Sequence, residues 1–152
     1  MSVRRQRARA AVRSGLAPEF VLAPRRLLLD THVWLWWQSD SKRLGPKTRK
    51  LIQGAAEVRV SVASVWEISI KCAIGKLTLP PDADIAAELA FNAFEPLAIE
   101  LAHADEVRRL PSMHADPFDR MLVAQCRLEG LTVVSVDPQI GAYDIRVWDA
   151  AT

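Results

Sequence analysis

The sequence is poor in cysteine and has no long apolar run. Its 152 residues include two cysteines, Cys72 and Cys126, which lie far apart, match no metal-binding spacing and stand in apolar stretches typical of buried thiols. No apolar run approaches the roughly 18 to 20 residues that span a bilayer, and the N-terminal arginines are followed by no apolar secretion segment. These absences predict a soluble protein that has no membrane contact and stays in the reducing cytoplasm.

The positive and negative charges are unevenly distributed along the chain. Residues 1–26 contain seven arginines and one acid, Glu19, and so carry a charge of about +6, whereas the remainder is about −4. We interpret residues 1–25, which are rich in arginine and alanine and are broken by glycine and proline, as a flexible arm. It is either an RNA-binding segment or a by-product of an upstream start. An acidic body is compatible with phosphate binding only if some of its acids hold metal ions.

Strand and helix patterns alternate from Leu27 onward. Half of all residues are apolar, enough for the core of one domain. Strands that alternate with helices require a parallel sheet with right-handed crossovers. The sequence therefore predicts an α/β fold, a single domain over residues 26–152 with a central parallel sheet of about four to five strands flanked by helices. Strands are predicted at residues 27–30, 58–62, 96–99, 131–136 and 145–148. Helices are predicted at residues 32–37, 44–56, 64–75, 82–94, 100–110 and 117–129.

Two acids follow predicted strands directly. Asp30 comes after the run LLL and Asp137 after VVSV, and ligands bind outside the carboxyl ends of the strands in such folds. Either acid alone would fit an ordinary turn or helix cap. Glu67 lies on an apolar helix, where a carboxylate needs a partner. We leave open whether that partner is a metal ion or Lys71 four residues later.

The segment HADPFDRMLVAQ supplies two more acids. Asp116 precedes Pro117, which predicts a helix-capping aspartate with proline at the first helical position. Asp116 is also a catalytic candidate, and we leave open whether it joins Asp119 in the metal site. Asp119 lies in the first turn and shares a face with Leu122, so we expect it to point at the strand ends. Carboxylates that converge there repel one another unless cations neutralise them. Oxygen ligands without cysteine or histidine favour Mg²⁺ or Mn²⁺ over zinc.

Four stretches of the sequence resemble the PIN-domain ribonucleases, specifically the VapC-type toxins of toxin–antitoxin pairs. They are LLLDTHVWLWW (27–37), VSVASVWEISIK (60–71), LPSMHADPFDRMLVAQ (110–125) and LTVVSVD (131–137). The resemblance implies metal-dependent cleavage of RNA, homodimers, and inhibition by a small antitoxin that also binds operator DNA in a larger toxin–antitoxin complex. The four acids of the family match Asp30, Glu67, Asp119 and Asp137. Thr31 and Ser135 match positions where the family often has a hydroxyl near the metal site.

Three other functions compete with this interpretation. A non-cleaving PIN-like domain that binds RNA or protein would be expected to lack some of the acids, and a DNA nuclease would share the whole site. A phosphatase with Asp30 as nucleophile would need a second aspartate where this chain has His32.

The remaining polar and aromatic candidates have plainer roles. We interpret His114 as a hydrogen-bonded structural residue, and we leave open whether Arg120 contacts phosphate or an acid. The tryptophans beside the core could stack on bases, but packing or a dimer surface explains them better; they are Trp34, Trp36, Trp37 and Trp66.

Overall fold

Residues 23–152 are described by the structure, a computed structural model, so nearly all of the arm predicted at residues 1–25 lies outside the described residues. The strands within 23–152 are Arg26–Leu29 (β1), Glu57–Ser61 (β2), Glu95–Leu97 (β3), Thr132–Ser135 (β4) and Val147–Asp149 (β5). The helices there are Thr31–Gln38 (α1), Pro46–Gly54 (α2), Val62–Ala73 (α3), Ile85–Phe91 (α4), Leu101–Val107 (α5) and Pro117–Glu129 (α6). A single 3₁₀ turn, Ile140–Ala142, follows β4.

The five strands form one sheet in the order β3-β2-β1-β4-β5, and every neighbouring pair is parallel. The predicted α/β architecture is therefore confirmed. Strand β1 lies at the centre, with Leu29 opposite Val60 of β2 and Val134 of β4. Because all strands point the same way, their carboxyl ends meet along one edge of the sheet.

Both faces of the sheet are covered, which explains the continuous apolar run in β1. Leu27 and Leu29 point into a core that includes Trp34 of α1 and Ile52 of α2. Leu28, between them, points into a second core on the opposite face. That second core also contains Leu122, Val123 and Cys126 of α6. The alternation of side chains along a strand fixes these two layers.

Most helix starts differ from the prediction by one to three residues, and two of the differences are explained by capping side chains. Helix α3 begins at Val62, because the side chain of Ser61 accepts from the Ala63 N–H at 3.0 Å and caps it. The predicted cap at Ser64 is wrong, and Ser64 is instead buried inside the helix. Helix α4 is shorter than residues 82–94, since the Asp84 side chain accepts from Ala87 N–H and starts the helix there. Within residues 23–152, no helix has the length and apolarity needed to cross a bilayer.

The amino ends of β1 and β2 carry a compact group of paired charges. Arg26 Nε lies 2.7 Å from one oxygen of Glu57, and Arg59 lies 2.9 Å from the other. The hydrogen bonds from Arg26 and then Arg59 hold the pKa of Glu57 below its ordinary value. Arg26 also donates to the carbonyl of Glu129 at 2.9 Å, where α6 ends. The carboxylate of Glu57 is therefore neutralised by cations of the same chain.

Candidate metal centre

The acids predicted to form a site come together at the carboxyl ends of β1 and β4. Asp30 follows β1 directly, and its Oδ1 accepts from the Val33 N–H at 2.8 Å, so the same carboxylate caps α1. Asp137 lies two residues beyond β4 and is held by the Gln139 N–H, which donates to its Oδ1 at 2.9 Å. Because β1 and β4 are adjacent, the charge of Asp137 acts on Asp30.

Asp30 is the most enclosed of these carboxylates, with 5% of its surface exposed. Burial raises its pKa above the ordinary value, and the nearby charge of Asp137 raises it further. The Ser135 hydroxyl, the Val33 N–H and the positive field of His32 act in the opposite direction. Ser135 also accepts from the Asp137 N–H at 3.0 Å and so links the two acids. A hydroxyl beside the site agrees with the prediction for this position.

Glu67 approaches the same site from α3 and is 7% exposed. The Thr31 hydroxyl donates to its Oε1 at 2.6 Å, and Lys71 Nζ lies 3.0 Å from its Oε2. The Ser64 hydroxyl lies 2.9 Å from that of Thr31 and extends the network. The ion pair with Lys71, which the sequence left open, is therefore present. Glu67 is nevertheless buried, and its negative charge still acts on Asp119.

Asp116 and Asp119 have different environments although they lie one turn apart. Asp116 Oδ1 accepts from the N–H groups of Phe118 at 2.8 Å and Asp119 at 3.1 Å, which confirms the predicted cap of α6. The pKa of Asp119 is raised to about 7, first by burial and then by the charge of Asp116, with smaller contributions from Asp30 and Glu67. His114 opposes this rise. Asp119 thus senses three other acids at once.

His114 is the site residue whose role sequence reasoning missed. Its Nε2 lies 2.9 Å from Asp119 Oδ2 and 3.2 Å from Asp137 Oδ2. Its Nδ1 accepts from the Asp116 N–H at 3.2 Å, so Nε2 carries the proton and donates to the two acids. The interpretation as a hydrogen-bonded residue was correct, but the partners are site carboxylates. A signal was available, since His114 stands five residues before Asp119 in the same motif.

The donor set fits a hard divalent cation. One ligand atom each from His114, Asp119 and Asp137 can be chosen so that all lie within 4.8 Å of one another. Since the Nδ1 atom of His114 is already an acceptor, the oxygen atoms are the natural ligands. Burial raises the pKa of the Cys126 thiol, so this thiol stays neutral, and it packs in the second core. A site of carboxylates that repel one another, with no thiolate beside them, suits Mg²⁺ or Mn²⁺.

The other candidates lie away from the acids or are used for packing. Trp34 is buried in the core, as the packing interpretation predicts. Trp66 is 59% exposed, and its ring meets that of Phe118 edge-on at 5.2 Å. Arg120 donates to backbone carbonyl oxygens rather than to an acid. His103 is buried and lies 2.8 Å from Glu129.

Comparisons with known proteins show which family the chain is similar to. The family model described as PIN domain matches residues 27–145. The chain is 27% identical over 128 residues to Ribonuclease VapC22 of Mycobacterium tuberculosis, which covers 80% of this chain and 98% of that protein.

Solved structures share the fold at low sequence identity. VapBC2 from Rickettsia felis, bound to a DNA fragment from its promoter, matches with a TM-score of 0.63 and 10% identity over 80% of this chain and 96% of the matched one. DNA-bound VapBC from Salmonella typhimurium matches with a TM-score of 0.59 and 18% identity over 82% of this chain and 97% of the other. These structures extend the comparison to the fold alone.

Proposed function

The chain belongs to the PIN domain family, and from that premise we propose that it is a Mg²⁺- or Mn²⁺-dependent endoribonuclease, the toxin of a VapBC-type pair. The proposal is supported most by Asp119 and Asp137, which have ligand atoms within 4.8 Å of each other. The charges of Asp30 and Glu67 also act on Asp119, whose pKa is raised to about 7. Buried acids that repel one another favour a bound cation. The reaction is hydrolysis of an RNA phosphodiester bond.

The residues of the chain prepare the site for that cation. When bound, divalent ions activate water and stabilise the leaving oxygen of a phosphodiester. Asp30, Asp119 and Asp137 would hold them, with Glu67 at the α3 side. Val33 N–H and the Ser135 hydroxyl fix Asp30 before any ion arrives.

The acids on the helices are fixed in the same way. Thr31 and Lys71 hold the two oxygens of Glu67. His114 donates to Asp119 and Asp137 and partly offsets their repulsion. These side chains therefore need little rearrangement on binding.

An in vitro cleavage assay separates this function from its alternatives. We expect purified protein, free of any inhibitor, to cut RNA with Mg²⁺ or Mn²⁺ and to stop when EDTA is added. Undiminished cleavage in EDTA would overturn the metal mechanism. Cleavage of DNA but not RNA would identify a DNA nuclease, and RNA binding without cleavage by wild type would identify a non-cleaving domain. The Asp30→Asn variant is the matched inactive control.

The partner is a small antitoxin protein encoded beside the toxin. VapBC complexes among the structural relatives, some of them bound to DNA, support this choice. An arginine or another basic side chain of the partner would enter the group of acids at the carboxyl ends of β1 and β4 and replace the cation or phosphate. We expect expression of the chain alone in the bacterial cytoplasm to arrest growth, and co-expression of the neighbouring small protein to restore growth. Arrest that persists in Asp30→Asn would show that cleavage is not its cause.

The toxin itself is proposed to form a homodimer through an apolar stripe that runs along α3 and ends at Ile74, the residue directly after the helix. The stripe is exposed and follows a spacing of four residues, so its members lie along one side of the helix; they are Val62, Trp66, Ile70 and Ile74. We expect light scattering to give twice the chain mass for wild type and the chain mass for Ile74→Glu. Leu101→Glu, which adds a charge at another exposed apolar position, is the control and should remain dimeric.

A further inference from the structure

Among residues 23–152, the positive charge of Arg120 is not matched by an acid partner. One terminal nitrogen donates to the Pro111 carbonyl at 2.8 Å and to the Tyr143 hydroxyl at 3.1 Å. The other donates to the carbonyls of Val107 at 2.9 Å and Leu110 at 3.4 Å. The partners are neutral oxygens, so neither of the two roles that the sequence left open, phosphate contact or acid pairing, describes this arrangement.

The N–H groups of Arg120 show whether its side chain serves the structure or can also bind the substrate. A guanidinium has five N–H donors, two on each terminal nitrogen and one on Nε. All four terminal N–H groups of Arg120 are directed at the oxygens of Val107, Leu110, Pro111 and Tyr143. Within residues 23–152, only the Nε–H has no acceptor, whereas a bidentate hydrogen bond to a phosphate needs two N–H groups. Direct RNA binding by Arg120 is therefore disfavoured.

Arg120 contacts two segments of the chain, one that leads to His114 and one that follows Asp137. Val107, Leu110 and Pro111 belong to the end of α5 and the start of the loop that carries His114. Tyr143 follows the 3₁₀ turn after Asp137 and is itself buried. Arg120 thus joins the segment that leads to His114 to the segment that follows Asp137.

We propose that Arg120 is a positioning residue of the metal centre. It fixes the loop so that His114 Nε2 reaches both Asp119 and Asp137, and it thereby sets the spacing of these two carboxylates before a cation binds. The inference rests on the metal centre of the proposed function. Lysine cannot replace it, because an ammonium lacks the planar fork that reaches several carbonyl oxygens at once.

The first test measures Mn²⁺ affinity of the RNA-free protein by calorimetry. We expect Arg120→Met to bind Mn²⁺ about 10-fold to 100-fold more weakly than wild type, the range typical when a residue that orients a metal ligand is lost. Arg120→Lys should not restore it. Arg127→Met removes the same charge from an exposed position on the same helix and should bind Mn²⁺ as wild type does. Unchanged affinity in a folded Arg120→Met protein would overturn the proposal.

A second measurement separates positioning from phosphate contact. Binding of a short RNA in EDTA should be equal for wild type and Arg120→Met, because the proposed role does not involve the substrate. A phosphate contact would instead weaken RNA binding and reduce its salt slope by about one. That result would replace the proposal with direct recognition.

The route through His114 is tested by a double-mutant cycle. In the His114→Ala background, Arg120→Met should cause little further loss of Mn²⁺ affinity, since the two changes remove the same effect. Additive losses would contradict the route. If Arg120→Met fails to fold, Tyr143→Phe removes one of its four acceptors and should weaken Mn²⁺ binding to a smaller degree; wild-type affinity there would overturn the proposal.

The Mn²⁺ readout keeps this inference distinct from the proposed function. A wild-type protein that binds Mn²⁺ through Asp119 but cuts no RNA would remove the ribonuclease and leave the positioning role intact. A wild-type protein that binds no Mn²⁺ would overturn both.

Discussion

The two edges of the sheet treat their acids in opposite ways. At the amino ends of β1 and β2, Glu57 lies between Arg26 and Arg59, and its pKa is lowered. At the carboxyl ends of β1 and β4, burial and neighbouring acids raise the pKa values of Asp30 and Asp119. The same chain therefore neutralises the acid at one edge and leaves the other edge with an excess of negative charge.

This difference separates structural from functional charge. The acid at the amino edge needs nothing from outside, because its cationic partners are encoded in the chain. At the carboxyl edge the chain supplies Lys71 to Glu67 and the N–H of His114 to Asp119 and Asp137, which is too little for four carboxylates. A site that stores this repulsion is stabilised by an incoming cation. The predictions below test that division.

The largest expected effect comes from Asp119→Asn. The change removes a charge of the proposed metal centre, so cleavage should fall by orders of magnitude. The metal-free protein should melt at the same temperature as wild type or higher, because carboxylate repulsion is relieved. RNA cleavage and metal-free thermal melting are measured together. A variant that loses much stability without metal would place Asp119 among the structural acids instead.

The next effect is the pH dependence of the metal-free protein. The folded pKa of Asp119, about 7, lies above the unfolded value of an aspartate, about 3.9. Stability from this group is fully present below the unfolded pKa and is lost as the pH rises through the folded pKa. We expect a higher melting temperature at pH 5 than at pH 8 in EDTA, and a smaller difference in Asp119→Asn. An equal difference in both proteins would contradict the assignment.

Asp116 should respond less than Asp119, because its role is to cap α6. Asparagine caps about as well as aspartate, so Asp116→Asn should keep most of the stability and a measurable part of the cleavage. Asp116→Ala should cost roughly 1 kcal/mol, read from denaturant melts. If Asp116→Asn is as inactive as Asp119→Asn, Asp116 belongs to the metal centre as well.

The smallest effect is expected at the opposite edge. Glu57→Gln breaks partly exposed ion pairs and should lower stability by at most about 1 kcal/mol at neutral pH, while cleavage is unchanged. Since the folded pKa of Glu57 is lowered, its contribution is present above the unfolded pKa and disappears as the pH falls through the folded one. Wild type and variant should therefore converge in acid. Loss of cleavage would show that the two edges are not independent.

The fold could largely be predicted from the sequence because its signals are local and repeated. Runs such as LLL in β1 indicate strands buried on both faces, and the parallel arrangement then places Asp30 and Asp137 at one edge. The pattern was weaker where two similar signals compete. Ser61 and Ser64 both suit a helix cap. The hydrogen bond from the Ala63 N–H shows that Ser61 caps α3, whereas Ser64 contacts Thr31.

The environment of the site could not be predicted to the same extent. His114 lies in an irregular loop, and the carbonyls at the start of that loop accept hydrogen bonds from Arg120 rather than follow any periodic pattern. For Glu67 the sequence offered Lys71 or a metal site as alternatives, and the structure shows that the Lys71 pair forms within the cluster of acids. Local sequence cannot reveal such convergence, because it depends on tertiary packing.

The central position of β1 has a consequence for how the protein is made. Its two neighbours, β2 and β4, stand on either side of it in the sheet but far apart in the chain. A ribosome-bound chain that has emerged only as far as α6 already contains Asp30, Glu67 and Asp119, yet β1 has an open side and Asp137 is missing. Domains fold as units during synthesis. The complete set of four carboxylates thus forms only after β4 has joined β1.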